Sequence, residues 1–211
     1  MEKTEDGLPC KRPYELGKRR EASDRTREAV LAAARELLES GGARDLTMEA
    51  LAKASGVTRQ TIHNLFGTRT GVLEALFDRI AADAGMMRMR EVMTSGDSES
   101  MLAAFVGVFA GFWGKDRLLL KRIHGIAAID PEFGQAVQAR NQRRGMAASR
   151  VIDRLYAGGP VISEEERAGK VAYLVALTSF EFFEALTESW GSAEFASASI
   201  YPLVKRAMDD R

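Results

Sequence analysis

The sequence lacks the features of a secreted, disulfide-bonded or membrane-spanning protein. It has one cysteine in 211 residues, Cys10 in a polar stretch, which excludes a disulfide framework and a thiolate metal cluster. No apolar run approaches the roughly 18 residues that cross a bilayer, and the N-terminal residues lack the apolar stretch of a signal peptide. These absences predict a cytoplasmic protein with no membrane partner.

Catalytic motifs are equally scarce. The sequence has no phosphate-binding loop, nucleophile elbow, HExxH zinc motif or Cys-x-x-Cys pair. Glu181 and Glu184 are the nearest approach to a carboxylate pair, but a di-iron site needs a second helix that carries Glu and His. His124 has no second histidine at metal-ligand spacing. We therefore predict no enzymatic activity, metal site or cofactor, and interpret the two glutamates as polar contacts.

Net charge is also absent, since 30 Lys and Arg residues balance 30 Asp and Glu residues. The distribution is uneven, however. Residues 11–70 hold 12 basic residues against 8 acidic ones, whereas the segments on both sides are slightly acidic. This modest local excess favours an anionic partner for that part of the chain.

What the sequence does contain is a helix-turn-helix pattern at residues 47–66, TMEALAKASGVTRQTIHNLF. Ala52 is small enough for two helices to pack closely, and Gly56 can adopt the positive φ of a tight turn. The inward face of the pair consists of Leu51, Val57, Ile62 and Leu65. Taken alone, this short pattern is also compatible with a simple helical hairpin.

The outward face of the second helix has the composition of a surface that reads DNA. Arg pairs with guanine, Gln and Asn pair with adenine, and Thr and His reach phosphates or base edges. Threonines precede each helix start in this region, where free backbone N–H groups bind phosphate. The predicted DNA-binding residues are Thr47, Thr58, Arg59, Gln60, Thr61, His63, Asn64 and Arg69.

With its flanks, the segment 26–76 resembles the DNA-binding region of the TetR/AcrR family of one-component bacterial regulators. The resembling residues are VLAAARELLESGG at 30–42, Leu46-Thr47-Met48, Leu51-Ala52, Ala54 to Thr58, Thr61-Ile62-His63, and Phe66-Gly67-Thr68-Arg69 followed by Leu73. Two positions depart from the family pattern, since His63 replaces a phosphate-binding Tyr and Leu65 replaces a polar aromatic residue. The resemblance implies a transcriptional regulator, usually a repressor, that binds a palindromic double-stranded operator as a homodimer and leaves it when a small-molecule effector binds.

The C-terminal part predicts a ligand pocket built from apolar helices. Methionines crowd the segment 86–93, where they fill a core or line a wall that adapts to ligands. An aromatic stripe follows at helical spacing, and such a stripe is either core or pocket lining. The candidate ligand-binding residues are Phe105, Phe109, Phe112, His124, Tyr173, Leu177 and Phe180. They predict a largely apolar effector, oriented by a hydrogen bond from His124 or Tyr173.

A long helix from Ser163 to Trp190 is predicted to be apolar on several faces, and the last helix, Ala193 to Met208, is too short to cover it. The resembling family dimerises through its final two helices, which would supply the missing cover. The candidate dimerisation residues are Val175, Phe182, Leu186 and Trp190. The alternative is a helix buried inside a monomeric bundle.

Together these patterns predict an all-α fold in three parts. The parts are a flexible basic arm at 1–22, a three-helix helix-turn-helix DNA-binding domain at 23–84 that begins at a Ser23 or Asp24 cap, and a helical ligand-binding and dimerisation domain at 85–211. Two other functions remain compatible with the sequence. One is a DNA-binding protein of fixed shape without an effector, and the other is a helical ligand carrier or enzyme with a vestigial helix-turn-helix.

Overall fold

The computed structural model describes residues 13–42, 44–94 and 96–209, and over these ranges the chain forms helices and no strand. The predicted all-α fold is confirmed. The helices are α1 (Pro13–Ser40), α2 (Met48–Ser55), α3 (Arg59–Phe66), α4 (Arg69–Asp83), a 3₁₀ turn (Met86–Arg88), α5 (Met89–Val92), α6 (Ser98–Lys115), α7 (Arg117–Ile129), α8 (Pro131–Leu155), α9 (Glu164–Leu177), α10 (Phe180–Trp190) and α11 (Ala193–Asp209). In the described residues, no helix is both long and apolar enough to traverse a bilayer.

Helices α2 and α3 form the predicted helix-turn-helix, held against α1 and α4 by a shared apolar core. Leu51 and Ile62, the inward residues of the two short helices, are fully buried with Leu38 of α1. Gly56 ends α2 with φ 70°, a left-handed conformation that glycine adopts without steric cost. The tight turn with a positive-φ glycine that the sequence predicted is therefore present.

The first helix starts earlier than predicted. Helix α1 begins at Pro13, so the expectation of a helix start at Ser23 or Asp24 is wrong. Proline is well tolerated in the first turn of a helix, because its missing N–H has no helical partner there. Residues 13–22 of the predicted arm are thus helical, whereas Lys11 and Arg12 lie outside the described residues.

Short polar residues also cap three helix starts in the C-terminal part. The side chain of Asp97 caps α6 and that of Asp130 caps α8, where Pro131 occupies the first helical position. Ser163 caps α9 in a complete capping box with Glu166. These short polar residues satisfy backbone N–H groups that a helix start leaves without partners.

The predicted long helix from Ser163 to Trp190 is wrong, since it is divided into α9 and α10. The Ser179 hydroxyl accepts from the N–H of Phe182 and starts a new helix. The Thr178 carbonyl is thereby left without a helical donor, and the side chains of Trp113 and Arg144 donate to it at 3.0 and 2.9 Å. Serine competes with helical hydrogen bonds in this way, so local capping overrides the apolar periodicity.

Ion pairs join the N-terminal helices to the rest of the molecule. Arg35 of α1 binds Asp116, with N–O distances of 2.8 and 3.1 Å, and this pairing lowers the pKa of the Asp116 carboxyl group. Arg140 of α8 binds Asp78 of α4 at 2.7 Å. Arg122 also donates to the carbonyl oxygen of Leu38 at the end of α1. These contacts therefore oppose movement of the N-terminal helices relative to the C-terminal helices.

Candidate nucleic-acid interface and ligand cavity

Helix α3 presents a polar face to solvent, opposite the buried Ile62. Arg59, Gln60, His63 and Asn64 are exposed, as the sequence predicted for side chains that read DNA. Thr61 is partly buried, and its hydroxyl lies 2.8 Å from that of Thr58. We call the exposed side of α3, together with the starts of α2 and α4, the reading face.

Two polar side chains on the exposed side of α3 pair with neighbours on the reading face. Gln60 donates to the side-chain oxygen of Asn64 at 2.9 Å, and Arg59 pairs with Glu49 of α2 at 3.1 Å. Exposed pairs of this kind are worth about 0–1 kcal/mol. Base edges and phosphates can therefore replace these partners at small energetic cost.

Three threonines cap the helices of the reading face. Thr47, Thr58 and Thr68 accept hydrogen bonds from the N–H groups of Ala50, Thr61 and Gly71, which confirms the predicted caps. A surface depression of about 480 Å³ connects the three helix starts. It is lined by Met48, Arg59, Gln60, His63, Gly67, Thr68 and Arg69.

Arg69 differs from the other predicted DNA-binding residues. Its guanidinium binds Asp130 at 3.2 Å, and the side chain is about one third exposed. Asp130 is the residue that caps α8, so this pair links the reading face to the C-terminal helices. The charge of Arg69 is thus already paired in this structure, and DNA binding by Arg69 stays a prediction.

The turn between α3 and α4 requires glycine at two positions. Gly67 has φ 73°, in the left-handed region. At Gly71 a Cβ atom would lie 1.9 Å from the carbonyl oxygen of Phe66, far inside any allowed contact. This close approach fixes the angle at which α4 leaves the reading face.

A second candidate site is an apolar cavity of about 470 Å³ in the C-terminal part, within the size range of small-molecule sites. It lies beside the C-terminal half of α4 and extends to the 3₁₀ turn, α5, α6, α7 and α8. Its lining residues are Phe77, Asp78, Ala81, Ala82, Met86, Met87, Met89, Phe109, Phe112, Trp113, His124, Val137, Arg140, Asn141, Arg143, Arg144 and Ala147.

Three of the seven predicted ligand-binding residues line this cavity, namely Phe109, Phe112 and His124. Phe105 is fully buried and does not line it, because the stripe on α6 turns into the core. Phe180 lies behind His124, and the two rings stack at 4.4 Å.

The other two predicted residues lie on α9 and are not part of the cavity wall. Tyr173 is 57% exposed, so the expectation that it faces the cavity is wrong. Leu177 packs against the core as a partly buried residue.

The charged residue that sequence reasoning missed is Arg144. It is buried, with 8% of its surface exposed, and its Nε atom has no hydrogen-bond partner. Desolvation lowers the pKa of its guanidinium. Val137, Arg144 and Val151 recur every two turns on the buried face of α8. The sequence signal that could have identified Arg144 is an arginine within an apolar stripe. Such a residue is expected to be buried, and a buried charge requires a partner.

Arg140 is the neutralised counterpart of Arg144, one turn earlier on α8. Its guanidinium binds the Asp78 carboxylate at 2.7 Å and Glu74 at 3.4 Å, and it lies 5.2 Å from the ring centre of Phe77. Arg143, in contrast, is exposed. The cavity therefore has three arginines and one carboxylate, Asp78, in its lining.

His124 lies between the cavity and a carboxylate. Its Nδ1 atom is 3.5 Å from Glu181, and this contact lowers the pKa of the Glu181 carboxyl to about 2. Its Nε2 atom is buried and has no hydrogen-bond partner. Glu184, the other glutamate of the predicted pair, binds Arg117 and Lys121 at 2.7 and 2.8 Å. Both glutamates thus make polar contacts, and within the described ranges no group of three or more His, Cys, Asp or Glu residues is arranged to hold a metal ion.

The predicted dimerisation residues divide into two groups. Val175, Phe182 and Leu186 are partly buried against the protein's own core. Trp190 at the end of α10 is 46% exposed and meets Phe195 of α11 edge to face at 4.7 Å, and Phe195 is itself 55% exposed. Phe195, which the sequence prediction omitted, therefore extends an exposed apolar surface that α10 and α11 share.

Comparisons with known proteins agree with the N-terminal geometry. The sequence profile of the bacterial regulatory proteins of the tetR family matches residues 30–76, which include α2 and α3. The chain is 27% identical over 136 residues to the transcriptional regulator EthR of Mycobacterium tuberculosis, covering 64% of this chain and 63% of EthR. It is 31% identical over 109 residues to the regulator AlkX of the same species, covering 49% and 50%. The matched region thus spans less than two thirds of either relative.

Solved structures are similar over most of the chain. A TetR-family regulator from a Rhodococcus species has a TM-score of 0.63 and 17% identity, covering 87% of this chain and 99% of that one. A transcriptional regulator from Saccharomonospora viridis, solved in complex with choline, has a TM-score of 0.61 and 16% identity, covering 86% and 96%. At these identities the structures show a shared fold that extends through the C-terminal helices.

Proposed function

We propose that this chain, a member of the TetR family of bacterial regulatory proteins, is a transcriptional regulator. In this proposal it binds operator DNA as a homodimer, and a small ligand releases it from the DNA. The observation that carries the proposal is the reading face of α3. Four exposed side chains with base-pairing chemistry stand there on a helix whose opposite side is fixed by the buried Ile62. A repressor is the simplest form of such a regulator.

Helix α4 supports the proposed coupling between ligand and DNA, because it touches both candidate sites. Its first residue, Arg69, borders the reading face, and its C-terminal half lines the cavity with Phe77 and Asp78. A ligand that displaces the cavity end of α4 would tilt its other end, which meets α3 through the tight turn at Gly71. Two recognition helices that no longer match successive major grooves would lose affinity for the operator.

The cavity supports a ligand that is apolar over most of its surface. Aromatic and aliphatic side chains form most of the wall, with Phe109, Phe112 and Trp113 on α6 and two methionines of the 3₁₀ turn opposite the α8 side chains. Choline, the ligand of the Saccharomonospora regulator, is a cation. It is a poor candidate here, because three arginines line this cavity.

The homodimer is proposed from the exposed apolar surface of α10 and α11. Trp190 and Phe195 form its centre, and large aromatic residues of this kind are enriched at subunit interfaces. Two-fold symmetry would place two copies of α3 on one side of the assembly. That arrangement fits a palindromic operator.

The DNA-binding proposal is tested by selecting duplexes from a random-sequence pool with the full chain. We expect enrichment of a palindrome whose half-sites lie about 34–36 Å apart or at a multiple of that spacing. Gln60→Ala should then cost about 1–3 kcal/mol on the selected duplex and little on random DNA. Gln142→Ala, on an exposed position of α8, is the matched control. Equal losses on both duplexes for Gln60→Ala would contradict base reading by α3.

The dimer is tested by light scattering at micromolar concentration. Phe195→Asp should convert the wild-type dimer into monomers, because an unpaired charge at the centre of an interface is strongly unfavourable. Met146→Asp on α8 is the control, since Met146 is similarly exposed at 57% against 55%. A wild-type protein that is already monomeric would refute the dimer.

A further inference from the structure

The cavity wall includes a buried guanidinium, that of Arg144, which forms no salt bridge within the described residues. The Glu181 carboxylate interacts with it only from beyond salt-bridge distance. No carboxylate oxygen in the described ranges lies within 4.0 Å of the Arg144 guanidinium, whereas Arg140 on the same helix has both Asp78 and Glu74. The polar contact of Arg144 is the neutral carbonyl of Thr178, at 2.9 Å from NH1. Its Nε atom is buried without a partner. A carbonyl dipole satisfies one N–H but leaves the charge itself unpaired.

Aromatic side chains lie close to the buried Arg144 side chain. Its guanidinium carbon lies 5.7 Å from the ring centre of Phe109, which also lines the cavity. The side chain of Trp113 approaches the same Thr178 carbonyl from α6. A buried arginine stays protonated in such a setting, so the cavity has a fixed cationic end and an apolar body.

We propose that the effector is an amphipathic monoanion, such as a medium-chain carboxylate, whose head group pairs with Arg144 and whose apolar chain lies between the aromatic residues of α6 and the methionines at 86–89. This inference rests on the proposed function, because it names the ligand class for the cavity that α4 connects to the reading face. Arg144 is a buried guanidinium at the wall without a salt bridge, and a carboxylate matches its planar donor geometry. Asn141, one turn from Arg144 and also at the wall, offers an amide N–H to the second oxygen.

The identity of the head group also explains the contrast between the two arginines. Arg140 is neutralised by α4 and Arg143 is exposed to solvent, so a single negative charge suffices for the buried Arg144. A cationic head group would meet the unpaired charge of Arg144 at low dielectric, which opposes binding. A neutral head group would leave Arg144 without an ion-pair partner.

The test is calorimetric titration of the full chain, without DNA, using three probes with the same apolar chain. These probes are decanoate, decanol and decyltrimethylammonium. We expect decanoate to bind at least about tenfold more tightly than either of the others, as charge-assisted hydrogen bonds predict. Equal or tighter binding of decanol or of the cation overturns the proposal, and so does the absence of decanoate binding. DNA binding is not part of this measurement. A failure of the proposed ligand class can therefore be distinguished from a failure of the proposed regulatory function.

Two arginine variants test whether Arg144 is the source of the preference for decanoate. Arg144→Met should reduce the preference for decanoate over decanol to near unity, whereas Arg150→Met, an exposed position of the same helix outside this cavity, should keep it. The ratio of two affinities does not depend on a general loss of stability. An Arg144→Met protein that retains the decanoate preference overturns the assignment to Arg144. If that variant does not fold, the head-group series on the wild-type protein decides the proposal by itself.

Discussion

The reading face and the cavity are built in opposite ways. Every polar group of the reading face comes from residues 47–69, where spacing along two short helices fixes which side chains point outward. The cavity draws its wall from α4, the 3₁₀ turn, α5, α6, α7 and α8. One site is therefore a property of local sequence and the other is a property of tertiary packing. Substitutions that separate local from tertiary effects test this difference.

The largest effect should come from the aromatic stripe of α6, which supplies both core and cavity. Phe105→Ala should lower the free energy of unfolding by about 3–5 kcal/mol, because its ring is fully enclosed. Phe109→Ala should cost less, since the ring already borders an open space. Denaturant unfolding measures both changes.

Ligand binding gives the complementary result for the same pair. Phe109→Ala should weaken decanoate binding, whereas Phe105→Ala should leave it unchanged as long as the protein is folded. An equal effect of both substitutions on the decanoate Kd would mean that the stripe does not divide between core and wall as the structure shows.

The turn between α3 and α4 is the next most sensitive point, and it belongs to the reading face. Gly71→Ala should destabilise the protein by about 1–3 kcal/mol or more, because the new methyl group overlaps the Phe66 carbonyl. Gly107→Ala is the matched control, since an added Cβ there meets nothing within 4 Å. That control should be neutral or stabilising by up to about 1 kcal/mol. A tolerated Gly71→Ala with full DNA binding would contradict a rigid α3–α4 connection.

The sequence predicted the reading face better than the tertiary packing around the cavity. The Thr58 cap, the Gly56 turn and the inward Ile62 depend on residues close in sequence, and the structure has all three. The single helix predicted from Ser163 to Trp190 was wrong, since apolar periodicity cannot show that Ser179 caps a new helix.

The cavity was less predictable, and for a physical reason. Phe105 and Phe109 have the same residue type and lie one turn apart, yet only Phe109 lines the cavity. Tyr173 lies on α9, which does not line the cavity, and its side chain is 57% exposed. Arg144 was visible as a charge within the apolar stripe of α8, but its partner, the Thr178 carbonyl, becomes free only because of a break elsewhere in the chain.

A smaller effect is expected at the junction between the two regions. Removing Arg35 and Asp116 singly and together should give a coupling energy of about 1 kcal/mol, as for a partly exposed ion pair. Folding lowers the pKa of Asp116 below its ordinary value of 3.8. The coupling should thus be fully present above that value and should be lost as the pH falls through the lowered pKa. A coupling energy that stays constant down to strongly acidic pH would exclude an ionic contribution from this pair.

The central claim is that occupation of the cavity changes affinity at the reading face through α4. The most direct measurement is the affinity of the wild-type protein for its selected duplex, with and without decanoate at a concentration that saturates the calorimetric signal. We predict that decanoate lowers DNA affinity 5- to 150-fold, which corresponds to a coupling free energy of about 1–3 kcal/mol. An unchanged DNA affinity while decanoate fills the cavity would contradict the claim.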